Sequence, residues 1–253
     1  MDLSAEKFYD EMSDHYHLIF EDWDRSIERQ SFIIESMINR YGIDKENSIL
    51  DCACGIGTQT LGLAKLGYHV IGSDISQKEV ERAIKEAQAR RVDVEFLKAD
   101  FRFLSDVFKI KFDAIIAMDN ALPHITSSQE LEKALSSIYA HIEHGGIFVA
   151  SIRDYDEILK TKPFAPPPYI IETPTGRRIV FQIWRWDNDI YTFTQYIIID
   201  ELDTLETLKF TCQYRAITRS ELTSILNIVG FEKVKWIMPK SSGFYQPILI
   251  ARK

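Results

Sequence analysis

The ten residues Ile49-Leu50-Asp51-Cys52-Ala53-Cys54-Gly55-Ile56-Gly57-Thr58 leave this chain few folds to choose from. An apolar run ends in an acid and breaks into a loop of small residues. The pattern then predicts a helix over 58–66 and a second strand over 68–73, closed by another acid, Asp74. Strand, glycine loop, helix, strand and acid together build a nucleoside-binding crevice at the carboxyl end of a parallel sheet. Gly55 and Gly57 carry no Cβ, so a ligand can approach the backbone there. Asp74 is placed to accept hydrogen bonds from ribose hydroxyls.

The rest of the chain extends the same alternation. Residues 5–40 read as two helices with a break near Asp22-Trp23-Asp24. Phe8, Tyr9, Met12, Tyr16, Ile19 and Phe20 recur at helical spacing, and so do Ile27, Ile34, Met37 and Ile38. Ser76 with Glu79 has the spacing of a capping box and opens a helix to about Arg90. Strands follow over 94–98 and 112–118, then a helix over 128–141 and, through Gly145-Gly146, a strand over 147–151. Five strands alternating with helices predict a doubly wound, mostly parallel sheet.

The texture then changes. Four prolines between Pro163 and Pro168 exclude a helix and predict a stiff extended segment. Three strands over 177–187, 190–201 and 205–215, joined by short turns, predict an inserted antiparallel β-meander. Trp184, Trp186, Tyr191, Phe193 and Tyr196 crowd its first two strands, enough to cover both faces. Thr218 with Glu221 opens another helix, ending near Gly230, and strands over 231–237 and 247–251 finish the chain. The division expected is an N-terminal helical cap (1–40), a cofactor-binding α/β core (41–160), the inserted sheet (161–216) and a C-terminal helix with two last strands (217–253).

Composition narrows the function. The 253 residues carry a formal net charge of −8, against the basic face that nucleic-acid binding needs. No apolar run approaches the ~20 residues that span a bilayer. Met1 to Glu6 lacks the basic start and apolar core of a signal peptide, so a cytoplasmic protein is expected. Cys52, Cys54 and Cys212 are too few and too scattered for a structural zinc site, and no metal is expected. The partner expected is a small-molecule substrate, with a homo-oligomer as the remaining option.

The crevice argues against one common ligand class and leaves a nicotinamide oxidoreductase as the most distant alternative. A dinucleotide fingerprint needs a third glycine where Thr60 stands. The chain reads D-x-A-x-G-x-G from Asp51 to Gly57, which resembles the first motif of class I S-adenosylmethionine-dependent methyltransferases. That resemblance implies a Rossmann-like seven-stranded sheet whose last strand is reversed, with the N-terminal helices as a lid and S-adenosyl-L-methionine as cofactor. It further implies that the loop carrying Asp51, Ala53, Cys54, Gly55 and Gly57 approaches the methionine portion. Asp74 takes the ribose, with Ile75 beside it, Asp100 and Phe101 hold the adenine, and Met118 lines the adenine or sulfonium side.

Two further segments narrow the resemblance. Met118-Asp119-Asn120-Ala121-Leu122-Pro123-His124 and Arg153-Asp154-Tyr155-Asp156 resemble the Asn-x-x-x-His and Arg-x-Tyr-Asp of the glycine/sarcosine N-methyltransferase group, and Ala165-Pro166-Pro167 resembles the linker that follows there. The similarity runs from about Ile49 to Pro168. It implies that Arg153 pairs with a substrate carboxylate, that Asn120 orients the substrate amine and that His124 belongs to the catalytic set. Tyr9, Tyr16 and Arg29 would close over the cofactor, Arg29 pairing its carboxylate. The reaction implied is in-line displacement at a sulfonium methyl. Its leaving group is neutral, so alignment carries the catalysis and can supply ~7–11 kcal/mol.

Plainer roles compete. Arg153 can bridge Asp154 or Asp156, and His124 can cap its loop. Asp119 stands where the relatives often have a small residue, which alters the charge of the pocket. Within the same class an O- or C-methyltransferase shares the cofactor half. A non-catalytic S-adenosylmethionine-binding protein would have its pocket plugged by Trp184 or Trp186.

Overall fold

The computed structural model describes residues 3–253. Met1 and Asp2, which begin the expected cap and the segment scanned for a leader, lie outside the described residues.

The chain opens with α1 (Ala5–Met12), a 3₁₀ turn at Tyr16–Ile19 and α2 (Trp23–Ile38). The core follows as β1 (Ser48–Asp51), α3 (Thr58–Lys65), β2 (His69–Asp74), α4 (Gln77–Arg90), β3 (Glu95–Lys98) and β4 (Phe112–Ala117). Then come α5 (Ser128–Ala140), β5 (Ile142–Ser151) and α6 (Tyr155–Thr161). A second sheet is made of β6 (Tyr169–Thr173), β7 (Gly176–Asp187), β8 (Ile190–Glu201) and β9 (Thr204–Arg215). The chain closes with α7 (Arg219–Val229), β10 (Glu232–Ile237), α8 (Pro239–Ser242) and β11 (Ile248–Arg252).

Seven strands form one sheet in the order β10-β11-β5-β4-β1-β2-β3. β11 alone runs against its neighbours, between β5 and β10, which is the reversed last strand expected. Helices cover both faces. Ile49 and Ile116 face Ile34, Ile38 and Leu63, whereas Leu50 and Ile115 face Leu131, Leu135 and Leu226. Burial on both sides explains why these strands read as continuous apolar runs. The chain turns one way from β1 and the other way from β4, so a crevice opens at the carboxyl ends of those two strands.

Several boundaries differ from the sequence reading. α1 stops at Met12 and α2 starts at Trp23, capped by Asp22 accepting from the Arg25 N–H at 2.9 Å. Tyr16, Ile19 and Phe20 therefore sit on or beside a 3₁₀ turn and not on a long helix. β5 begins at Ile142, before its glycine pair, because β4 and β5 break register there and the Gly145 N–H pairs with the Lys253 carbonyl at 3.0 Å. Three elements escaped the sequence reading, one of them the single turn of α8 between the last two strands. α6 was hidden inside the Arg153–Asp156 motif, and β6 is a short edge strand after the prolines with Tyr169 and Ile170 exposed. Both capping boxes are half-formed: Ser76 Oγ accepts from the Glu79 N–H and Thr218 Oγ1 from the Glu221 N–H, but neither carboxylate reaches back.

The second sheet is antiparallel, in the order β6-β7-β8-β9, and lies between β5 and α7 in the chain. Its inner face buries Val180, Trp184, Phe193, Ile197, Phe210 and Tyr214. α1 packs there, with Phe8 edge-on to Phe193 at 5.3 Å. The outer face is only partly covered, with Phe181 stacked on Tyr196 at 5.0 Å and Ile183 exposed. No helix among the described residues is long and apolar enough to cross a membrane.

Candidate functional site: a nucleoside cleft beside an aromatic pocket

The loop after β1 shapes the first cavity, of about 340 Å³. Gly55 and Gly57 hold φ of 53° and 93°, in the left-handed region that an L side chain rarely adopts. Asp74 fixes this loop: Oδ2 accepts from the Gly55 N–H and Oδ1 from the Ser76 N–H, each at 2.9 Å. Burial lifts its carboxyl to about 6 against those same backbone bonds. Asp74 lines the cavity, and a carboxylate has ~4 lone-pair sites, so these bonds leave acceptor capacity for hydroxyl donors.

Of the residues expected to bind the cofactor, Tyr16, Ala53, Cys54, Gly55, Asp74, Ile75, Asp100, Phe101 and Met118 all line this cavity. Gly57 and Asp51 lie behind it. Asp51 is fully buried, accepts from Thr60 Oγ1 at 2.7 Å and is pushed up to about 7 by desolvation. Thr60, read from sequence only as a missing glycine, is thus the partner that satisfies this acid. Asp100 keeps its place but is occupied: Arg102 Nε and Nη2 reach its carboxylate at 2.9 and 2.6 Å. Arg29 is exposed on α2 and does not line the cavity, but its charge reaches Asp119, which does.

A second cavity of about 410 Å³ lies beside the first, and Tyr9, Tyr16 and Asp119 belong to the walls of both. Arg153 faces it from the chain after β5. Its Nη1 donates to the Tyr191 hydroxyl at 2.9 Å and its Nη2 to Gln182 Oε1 at 3.1 Å. The guanidinium lies 5.0 Å from the Trp184 ring and 5.1 Å from the Tyr214 ring. It bridges neither nearby acid, because Arg219 takes both: its Nη1 bonds Asp154 and its N–H donates to Asp156 at 3.1 Å. Among the described residues Arg153 has no carboxylate partner. Trp184 walls the cavity and does not plug it, and Trp186 points away, donating to the Pro163 carbonyl at 2.8 Å.

Asn120 is almost fully buried, and its amide is committed to holding this corner. Oδ1 accepts from the Arg153 N–H and Nδ2 donates to the Tyr155 hydroxyl, each at 2.9 Å. His124 is held at both ring nitrogens, 2.9 Å from the Tyr9 hydroxyl and 3.5 Å from Cys212 Sγ. Burial depresses its basicity to about 3, so the ring is neutral near neutral pH and is unsuited to taking a proton.

Sequence reasoning missed Tyr191, Tyr214, Gln182 and Gln59. Tyr191 and Tyr214 are register partners on β8 and β9. Their period-two pattern was visible, but which face looked at Arg153 was not.

Residues 49–146 match the model of a methyltransferase domain. A glycine/sarcosine N-methyltransferase of Parasynechococcus marenigrum is 28% identical over 155 residues, covering 61% of this chain and 54% of that protein. Human glycine N-methyltransferase is 28% identical over 202 residues, covering 75% and 63%. The matched region thus spans little more than half the length of the first of these relatives. Among solved structures, the CcbJ methyltransferase of Streptomyces caelestis superposes with a TM-score of 0.78 at 15% identity, over 100% of this chain and 99% of that one. CalS10, an amino pentose methyltransferase from Micromonospora echinaspora, gives 0.75 at 16% identity over 90% and 91%. The chain has the class I S-adenosylmethionine-dependent methyltransferase fold and is related to the glycine/sarcosine N-methyltransferases.

Proposed function

We propose that this chain transfers the methyl group of S-adenosylmethionine to the nitrogen of a small acceptor that carries a carboxylate, an amino acid or a close relative. The reading rests chiefly on Arg153, a charge fixed by Tyr191 and Gln182 in an aromatic pocket with no carboxylate partner among the described residues. A planar guanidinium held in this way suits two-pronged capture of a carboxylate. The names of the curated relatives point the same way.

The cofactor supplies an electrophilic methyl carbon on a sulfonium. The residues present fit it: Gly55 lines the cleft where the methionine portion is expected, and Asp74 keeps acceptor capacity for the ribose. Phe101 and Met118 offer apolar surface to the adenine. Tyr9 and Tyr16 stand between the two cavities and would keep water from the line of transfer. Asn120 acts by positioning, since it fixes the backbone of Arg153.

Labelled-methyl transfer to a panel of amino acids, simple amines and hydroxy acids tests the proposal. Turnover confined to amines that carry a carboxylate, and lost in Arg153→Ala with cofactor binding retained, is the expected result. Turnover of hydroxy acids alone would replace it with O-methylation.

A further inference from the structure

Asp119 occupies an unusual position. It follows Met118 at the end of β4 and forms part of the wall of both cavities, where nucleophile and methyl carbon have to meet. Asp119 and Asn120 hold φ of 55° and 70°, so the chain keeps two side chains in a left-handed stretch where glycine would fit without strain. The stretch is pinned: the Asp119 N–H donates to Ser151 Oγ at 2.8 Å and the Asn120 N–H to the Ser151 carbonyl at 3.0 Å. One carboxylate oxygen accepts from Gln59 Nε2 at 2.8 Å and the other from the Tyr245 hydroxyl. Two donors orient the carboxylate without exhausting its ~4 lone-pair sites. Among the described residues it makes no ion pair.

Resting on the reading above, we propose that Asp119 receives the acceptor's ammonium group, so that a zwitterion is gripped at both ends, its carboxylate by Arg153 and its nitrogen by Asp119. Proton balance then closes. One N–H bond of the ammonium breaks and its proton passes to an Asp119 oxygen. The electron pair left on nitrogen forms the new N–C bond as the C–S bond breaks, and that bond's electrons neutralise the sulfonium. The proton on Asp119 then leaves to solvent, and the product departs as the N-methylated ammonium. No other group of the expected catalytic set is suited to this role, since His124 is neutral and bonded at both nitrogens and Asn120 has no basic site. Burial raises the Asp119 carboxyl from its ordinary range, partly offset by the Tyr245 and Gln59 bonds, and a raised carboxylate is a better proton acceptor. Tyr16, Tyr245, Asp51 and Arg29 are the ionisable groups that share its field.

Asp119→Asn keeps the shape, and Asp119→Gly relieves the backbone and serves as a second variant. Binding of S-adenosylhomocysteine is measured by calorimetry, and methyl transfer with the amino acid that the unaltered protein turns over best. We expect a fall in kcat/KM of about 100-fold in both variants, with cofactor affinity changed by less than about threefold. Residual activity of the variants should climb with pH as free amine accumulates. Activity of either variant within about threefold of the unaltered protein overturns the proposal. So does an equal loss of cofactor affinity, which would put Asp119 on the methionine portion. A protein that binds S-adenosylhomocysteine yet methylates only hydroxyl acceptors also overturns it while leaving the cofactor site standing; a protein that does not bind it overturns the underlying reading instead.

Discussion

The Tyr191 hydroxyl lies 2.9 Å from Nη1 of Arg153 and 3.1 Å from the Tyr155 hydroxyl, so a strand of the inserted sheet holds the guanidinium that the core sheet presents. The second sheet thereby supplies part of the wall of the cavity that Arg153 faces. Removing this contact should loosen Arg153 without emptying the site. Tyr191→Phe is predicted to raise KM for the acceptor by about 5- to 30-fold, the equivalent of ~1–2 kcal/mol, with S-adenosylhomocysteine affinity unchanged. Arg153→Lys should lose more, because an ammonium cannot reproduce the fork. Steady-state kinetics with calorimetry on both variants checks this.

Cofactor affinity should depend on pH through Asp74. Its carboxyl is raised to about 6, mainly by burial, with Asp10 adding to the shift. Ribose hydroxyls donate to the ionised form, so binding favours loss of the proton and strengthens as pH rises. Affinity for S-adenosylhomocysteine should be about tenfold weaker near pH 5 than near pH 7 and level above that. Asp74→Asn should bind weakly, with that step removed.

Glu79 lies fully buried beneath the glycine loop, and among the described residues neither carboxylate oxygen has a partner. Burial, with Asp74 nearby, raises it well above its ordinary 4.5. The folded state therefore holds this proton more tightly than the unfolded chain. Its stabilising effect is complete below the unfolded value and is lost as pH rises through the raised one. Glu79→Met should stabilise the protein by about 1–3 kcal/mol near pH 8 and by less near pH 5, as read by urea unfolding.

Thr60→Val keeps the shape of α3 but removes the 2.7 Å hydrogen bond to buried Asp51. A loss of about 1–3 kcal/mol in unfolding free energy is expected, together with weaker cofactor binding as the loop loosens. Thr60→Ser should retain most of both.

How much of this was legible in the sequence follows from the range of each interaction. The core sheet could be read because Leu50, Ile71 and Ile115 lie in apolar runs punctuated by acids at strand ends, all of it local signal. Thr60 was legible only as an absent glycine, since its bond to Asp51 depends on the turn that α3 makes above β1. The setting of Arg153 was out of reach. Its partners Gln182, Tyr191 and Tyr214 stand 29, 38 and 61 residues away on a sheet whose docking face no local pattern specifies. β6 escaped for the opposite reason: an exposed edge strand after prolines buries too little to leave a periodic pattern.

Calorimetric titration of the purified protein with S-adenosylhomocysteine tests the central claim most directly. Saturable binding near one ligand per chain, largely abolished in Asp74→Ala, is the predicted result. No measurable heat or competition with either the methyl donor or its demethylated product would contradict the assignment of the cleft, and with it the acceptor chemistry built beside it.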